Sequence, residues 1–411
     1  MTQDPTQLIV GASLAGAKAA EALRAAGFEG PVTLIGAEDE LPYERPPLSK
    51  GYLQGKAGRE TIYAHPADWY ASASVDLRLG VRVTGLDPVA HEVTLADGGT
   101  LSYGTLLLTT GSSPRGLQVP GGDLDGVLYL RTLADCDRLK GVLGSVRRIA
   151  VIGAGWIGLE VAAAARTVGI EVTVIEVADL PLLRVLGREV AEIFARLHRD
   201  HDVGLRLGAQ VAEIRGVGGR VAGVRLADDS VIPAEAVVVA VGIRPNTELA
   251  EAAGLTVADG VVVDAQLRTS HPDIFAAGDV ASAYHPLLDR HIRVEHWANA
   301  LNQPQTAARA MIGQDRYDRV PYFFTDQYDL GMEYAGYVEP GGYDHVVFRG
   351  DVGQREFIAF WVDAASRVLA GMNVNVWDVN DAIQSLVRRR QPVADEALRD
   401  PSVPLDSLAT A

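Results

Sequence analysis

Short apolar runs recur along the chain, each closed by glycine and followed by a stretch in which small apolar residues return every three or four positions. Residues 7–10 form the first run, and beyond its glycine turn Ala17, Ala20, Leu23 and Ala26 recur at helical spacing before "VTLIG" at 32–36. A strand that is apolar throughout, followed by a helix, predicts a βαβ unit, because the strands of a parallel sheet are covered on both faces and carry no polar alternation. The order returns at "RRIAVIG" (147–153), "AGWIGLEVAAAARTVG" and "VTVIEV" (172–177), an internal duplication of architecture. The pattern therefore predicts two nucleotide-binding α/β domains.

Alternation with a two-residue period fills the spaces between these units. "VRVTGLDPVAHEVTLADGGTLSYGTLLLTTGS" (81–112) reads as a β-meander that returns to a parallel strand, and "RVAGVRLADDSVIPAEAVVVAVGIRPN" repeats that order, its last apolar strand ending at Val241-Gly242. "DIFAAGDVA" (273–281) belongs to neither unit by chain order and is expected to return to the first domain, making it discontinuous. From Tyr322 the chain reads as a small antiparallel sheet followed by a helix near 378–388, and the polar, proline-containing tail from Gln391 is expected to lie along the surface. The expected domains are 1–112 with 247–321, then 113–246, then 322–411.

Composition narrows the class. At 411 residues two or three domains are expected, and 48% hydrophobic residues with 43 glycines suit an α/β protein whose helices pack through small side chains. A net charge of -16 disfavours non-specific binding to nucleic acid or to anionic membranes. Cys136 is the single cysteine, which excludes a disulfide, a thiolate metal site and a C-x-x-C electron relay, and no metal site is expected. No basic region precedes the first apolar stretch and no run approaches the ~20 apolar residues of a membrane span, so the expectation is a soluble cytoplasmic protein.

The duplicated turns carry candidate chemistry. Gly153, Gly155 and Gly158 stand in G-x-G-x-x-G spacing between a strand and a helix, which gives a tight turn, backbone approach to a pyrophosphate, and close helix–strand contact. Glu176, at the end of the next strand, can accept hydrogen bonds from a ribose 2′-hydroxyl and so favours NADH. A 2′-phosphate beside it would be repelled by up to about 4 kcal/mol per charge pair at ~4 Å, although Arg184, eight residues on, could soften this. In the first turn, Gly11-Ala12-Ser13-Leu14-Ala15-Gly16, serine replaces the middle glycine, and Glu38 is the candidate ribose acceptor. Taken alone this turn leaves open which dinucleotide it holds.

The segments "LPYERPPLSKGYLQGK" (41–56), "TTGSSPR", "VIGAGWIGLEVAA", "VGIRPN", "FAAGDVA" and "VEHWANALNQ" resemble the FAD-dependent ferredoxin reductases that serve bacterial cytochrome P450s and Rieske-type oxygenases, including the putidaredoxin and rubredoxin reductases. The resemblance spans nearly the whole chain. It implies a glutathione-reductase-like fold of class α/β: two Rossmann-type domains, with FAD on the first fingerprint (Gly11, Ser13, Ala15, Gly16) and NADH on the second, plus a C-terminal α+β interface domain. The family usually has an acid where Ala37 stands, so the ribose role passes to Glu38. By the same resemblance Lys50 reaches the flavin near N5, Arg45 lies close to it, Asp279 accepts from the ribityl chain, and Val83 and Arg131 match FAD-contacting positions. Trp297 begins a helix whose N-terminus points at the flavin pyrimidine, Gly242 is a further candidate cofactor-binding position, and Glu160 is expected to pair with Lys50.

The implied activity is NADH:ferredoxin oxidoreduction: hydride to FAD, then single electrons to an iron–sulfur ferredoxin, of [2Fe–2S] type foremost, feeding an oxygenase. Disulfide reductases of this fold use a cysteine pair and the peroxidase and oxidase relatives a single active-site cysteine. Here Cys136 sits in an apparent helix away from the flavin side and is expected to pack. A rubredoxin, monodehydroascorbate or quinone reductase of the same fold, or a flavin-binding signalling protein like apoptosis-inducing factor, are the alternatives. Arg388, Arg389 and Arg390 offer a basic docking face or a simple helix end. Phe324 stands where the family often has tryptophan, so an electron-path role argued for that tryptophan does not transfer. A monomer or weak dimer is expected.

Overall fold

The computed structural model describes residues 5–410. Its contacts gather into two compact units, one made of the chain up to Glu44, Gly58–Ser113 and Ile243–Arg319, the other of Arg45–Ala57, Pro114–Gly242 and the chain from Val320 onward.

In the first unit five parallel strands lie in the order Ile274–Ala276, Thr105–Leu108, Gln7–Val10, Val32–Ile35, Val75–Arg78. Gln7–Val10 is buried along its length, as its central place requires. The helix Leu14–Ala25 follows it and packs beside the helix Trp297–Ile312. Ala17, Ala19, Ala20, Ala307 and Ala308 are fully buried, and their small side chains allow this close approach. The meander of the sequence reading forms the antiparallel strands Val83–Asp87, Glu92–Leu95 and Thr100–Ser102.

The second unit repeats the plan with parallel strands in the order Gly204–Arg206, Glu171–Ile175, Arg148–Ile152, Ala236–Val239, Val127–Leu128, and with the helix Trp156–Thr167 after the central strand. It also holds the five-stranded antiparallel sheet Tyr322–Gln327, Leu330–Gly336, Val368–Val374, Glu356–Val362, His345–Asp351, in that spatial order. Trp361 is fully buried under this sheet and donates its indole N–H to the Leu186 carbonyl at 2.9 Å.

The helix expected near 378–388 is present as Asn380–Arg389. The tail from Gln391 lies along the surface, as expected, with most of its described side chains exposed, and it is pinned there by the buried Leu398 and Leu405 on the short helices Asp395–Arg399 and Leu405–Thr410. Arg349 adds to this by donating to the carbonyls of Asp400 and Val403, each at 2.7 Å. Among the described residues no helix is long and apolar enough to cross a membrane.

Candidate functional site

Each glycine turn follows from steric necessity at its ends and freedom in its middle. Gly11 has φ +122°, and a Cβ there would overlap the Thr109 carbonyl; Gly153 has φ +102° and the same conflict with the Ala240 carbonyl. Ser13 is the N-cap residue of its helix at φ −113°, an extended conformation any residue adopts, and Gly155 holds the corresponding place at φ −77°. A Cβ on Gly155 would meet no atom within 4 Å. The fold thus needs glycine first and third, and the middle position faces open space beside a helix N-terminus, where a pyrophosphate fits. Serine in the first turn costs the backbone nothing.

The strand-end acids differ in their setting. Glu176 accepts the backbone N–H of Ala154 at 2.7 Å on one carboxylate oxygen and that of Ala178 at 2.9 Å on the other. The carboxylate is therefore tied to the fingerprint turn, with lone pairs left over for a ribose hydroxyl. Glu38 accepts from the buried Tyr43 hydroxyl at 2.6 Å, while its neighbour Ala37 is exposed. Arg184, on the short helix Leu183–Leu186, is exposed and lines a cleft with Arg188, Glu339 and Tyr343. Gly242 has φ +98°, and its carbonyl accepts the Arg115 N–H at 2.9 Å.

In the first unit Asp279 is 8% exposed and accepts from the Ser112 hydroxyl at 2.7 Å. His296 is the N-cap residue of the helix that Trp297 opens; burial holds its pKa down at about 4, against the opposing pull of Asp279. Burial likewise raises the Glu295 carboxyl. Val83 begins the antiparallel sheet and is half-buried.

In the second unit the loop carrying Lys50 is stiffened by the 3-10 turn Pro46–Ser49, whose prolines supply preset backbone angles. The helix Leu133–Leu143 holds it from below. The Cys136 thiol donates to the Leu48 carbonyl at 3.1 Å, Tyr52 donates to Asp137 at 2.7 Å, and the Lys140 ammonium lies 5.0 Å from the Tyr52 ring centre. Arg45 donates to the Arg131 carbonyl just before that helix. The expectation that Cys136 packs rather than reacts fits its complete burial, which pushes its thiol up to about 12. It lies in the helix Leu133–Leu143, as expected, with its thiol against the backbone of Leu48.

Lys50 and Glu160 form an ion pair, Nζ to Oε1 2.7 Å, with side chains 16% and 5% exposed. Glu160 sits in the second turn of the helix Trp156–Thr167, and its carboxylate is held by side-chain donors. Its other partners are the Ser49 hydroxyl on Oε2 and the Thr325 hydroxyl on Oε1 at 2.6 Å. Lys50 also stands 5.4 Å from the Phe324 ring centre, and burial raises the nearby Asp326 carboxyl, with Lys50 lowering it and Glu160 adding to the rise. Ser49, Thr325 and Asp326 escape motif reading. The one signal for Thr325 is periodic: in "YFFTDQ" polar residues fall on the inward positions of a buried strand.

The comparisons with known proteins bear on the whole chain. Residues 6–304 match the pyridine nucleotide-disulphide oxidoreductase family and residues 322–409 the reductase C-terminal family. The ferredoxin–NAD(+) reductase component of the anthranilate 1,2-dioxygenase system of Burkholderia cepacia is 42% identical over 409 residues, covering 98% of this chain and 99% of that one. The ferredoxin reductase for the CYP199A2 system from Rhodopseudomonas palustris superposes with a TM-score of 0.94 at 37% identity, over 98% of this chain and 100% of that one. The putidaredoxin reductase of a covalent complex with putidaredoxin does so with a TM-score of 0.93 at 38% identity, over 98% of each chain. With its paired dinucleotide turns and these matches, the chain belongs to the pyridine nucleotide-disulphide oxidoreductase family and carries that family's reductase C-terminal domain.

Proposed function

We propose that the chain is an NADH:ferredoxin oxidoreductase with FAD and NADH as cofactors, passing single electrons to an iron–sulfur ferredoxin that feeds a cytochrome P450 or Rieske-type oxygenase. The observation that carries the reading is the buried Lys50–Glu160 pair in a chain whose single cysteine is buried with its thiol raised to about 12. A charged pair on a rigid loop and helix is suited to positioning a nicotinamide, and a protonated buried thiol is unsuited to relaying electrons. Relatives named as ferredoxin reductase components, and a putidaredoxin reductase seen joined to putidaredoxin, support a ferredoxin as acceptor.

The residues we assign to FAD in the first unit are Gly11, Ser13, Ala15, Gly16, Ala37, Glu38, Val83, Asp279 and Trp297. To NADH we assign Gly153, Gly155, Gly158, Glu176, Arg184 and Gly242. Lys50, Arg45 and Arg131 we also assign to FAD, and Arg45 in addition ties the loop of Lys50 to the Arg131 carbonyl. Domain limits of 1–112 with 247–321 for FAD, 113–246 for NADH and 322–411 for the interface belong to the same proposal. So do a [2Fe–2S] partner, a cytoplasmic location, and a monomer or weak dimer.

FAD held by the first-unit residues would supply hydride acceptance from NADH and one-electron release. The chain's own contribution is electrostatic and positional. Glu160 holds the Lys50 ammonium in one place, the Ser49 and Thr325 hydroxyls fix the carboxylate that does so, and low exposure keeps water from loosening the pair. Glu176 keeps a negative charge at the fingerprint turn, which selects a ribose with a free 2′-hydroxyl.

The test is steady-state reduction of cytochrome c by NADH or NADPH with [2Fe–2S], [3Fe–4S] and rubredoxin acceptors added in turn. Turnover with NADH that depends on added [2Fe–2S] ferredoxin supports the proposal. Efficient ascorbate-radical or quinone reduction without a carrier protein would move the chain to another acceptor class, and very slow flavin reduction by NADH would refute a reductase role.

A further inference from the structure

A series of buried hydrogen bonds runs from His198 to Glu160, all within the second unit. His198, near the C-terminal end of the helix Arg188–Asp200, is fully buried, with Nε2 2.8 Å from Oε1 of Gln327. Gln327 Nε2 lies 3.3 Å from Thr325 Oγ1, which in turn lies 2.6 Å from Glu160 Oε1. Thr325 and Gln327 are each 1% exposed, two residues apart on one face of Tyr322–Gln327.

Elementary donor and acceptor chemistry gives the series a direction. An amide oxygen only accepts, so Nε2 of His198 carries the hydrogen; an amide nitrogen only donates, so Thr325 accepts from Gln327 and gives its one hydrogen to Glu160. Burial holds the His198 pKa down at about 4, so the ring is neutral at pH 7 and Nδ1 is a lone pair. That Nδ1 is buried with no hydrogen-bond partner among the described residues. With the hydrogen on Nδ1 instead, Gln327 would have to turn over, Thr325 would donate to the amide oxygen, and Glu160 would lose a donor. The amide cannot pass a proton along, so the series orients and does not conduct.

We propose that His198, Gln327 and Thr325 are positioning residues for the Lys50–Glu160 pair: the Nε2–H form of His198 sets the Gln327 amide, and the amide fixes the Thr325 hydroxyl on the carboxylate that holds Lys50. The inference rests on the reading of Lys50 and Glu160 as the pair that governs hydride delivery.

Long-range 15N spectra of the histidine-labelled, FAD-loaded protein at pH 7 test the direction without reference to turnover. The expected result is neutral His198 as the Nε2–H form, passing to a mixture of tautomers in Gln327→Met; a wild-type ring in the Nδ1–H form overturns the proposal. Stopped-flow reduction of bound flavin by NADH tests the consequence. Thr325→Val should slow it about tenfold with NADH affinity within about twofold, and Thr325→Ser should restore most of the rate. A folded Thr325→Val protein that reduces flavin at the wild-type rate while Glu160→Gln does not overturns the proposal. If Glu160→Gln also runs at the wild-type rate, the pair's role is what fails.

Discussion

The thiol of Cys136 donates to the carbonyl of Leu48 at 3.1 Å, so the chain's single cysteine is a clamp on the loop that presents Lys50. The thiol is fully buried and pushed up to about 12, and neither property suits redox chemistry. Cys136→Ala should cost about 1–3 kcal/mol, from a small cavity and an unmet carbonyl, and should leave saturated turnover within about twofold. Thermal melts and turnover check this, and the native protein should resist a thiol reagent until unfolded.

Ser13 and Gly11 lie two residues apart and answer to different constraints. Ser13→Gly should leave FAD retention unchanged and stability within a few tenths of a kcal/mol, because φ −113° suits any residue. Gly11→Ala should destabilise by roughly 2 kcal/mol or more, since its φ of +122° strains an L-residue and the new Cβ meets the Thr109 carbonyl. Flavin absorbance after gel filtration and melting temperature separate the two. A large gain in FAD retention by Ser13→Gly would mark the serine as a defect.

Removing one member of the Lys50–Glu160 pair should hurt more than removing both. Lys50→Met leaves a carboxylate that is 5% exposed without its cation, a loss of roughly 3–5 kcal/mol. In the Lys50→Met, Glu160→Gln double variant part of that loss should return. A double-mutant cycle on unfolding free energy measures it, and additive losses would show that the two groups do not interact.

His198 also predicts how stability varies with acidity. Its folded pKa of about 4 lies below the ordinary 6.5, so the unfolded chain binds a proton more readily than the native one. Stability is full above about pH 6.5 and falls as pH drops toward 4, by on the order of 3 kcal/mol once both states are protonated. His296, lowered to about 4 in the same way, adds a loss of the same sign in the first unit. Unfolding free energy measured from pH 7.5 to 4.5 should decline, and His198→Asn should flatten that decline whatever its effect at pH 7.5.

Much of the architecture was legible in the residues. Continuous apolar runs such as residues 149–152 of the strand Arg148–Ile152 are what a strand covered on both faces requires, and they lie at the centre of their sheets. The polar tail from Gln391 was legible as a surface segment, while its attachment points, among them Leu398, Leu405 and the contacts with Arg349 and His345, were not, because those partners are remote in sequence. Glu160 and Lys50 were visible through motif resemblance. Ser49 lay inside the same segment as Lys50 but without a role, and Thr325, Gln327 and His198 were not visible, because no motif spans their separations and each polar residue taken singly resembles a surface position.

Local period, backbone angle and residue count suffice for the duplicated strand–turn–helix plan, the two dinucleotide turns and the lack of a cysteine relay, and all three are therefore readable along the chain. The tertiary structure decided what surrounds the carboxylate of Glu160. Its partners come from residues 49, 50 and 325. A buried charge is stable only where its donors converge, and that convergence is a property of the packed chain, not of any one segment.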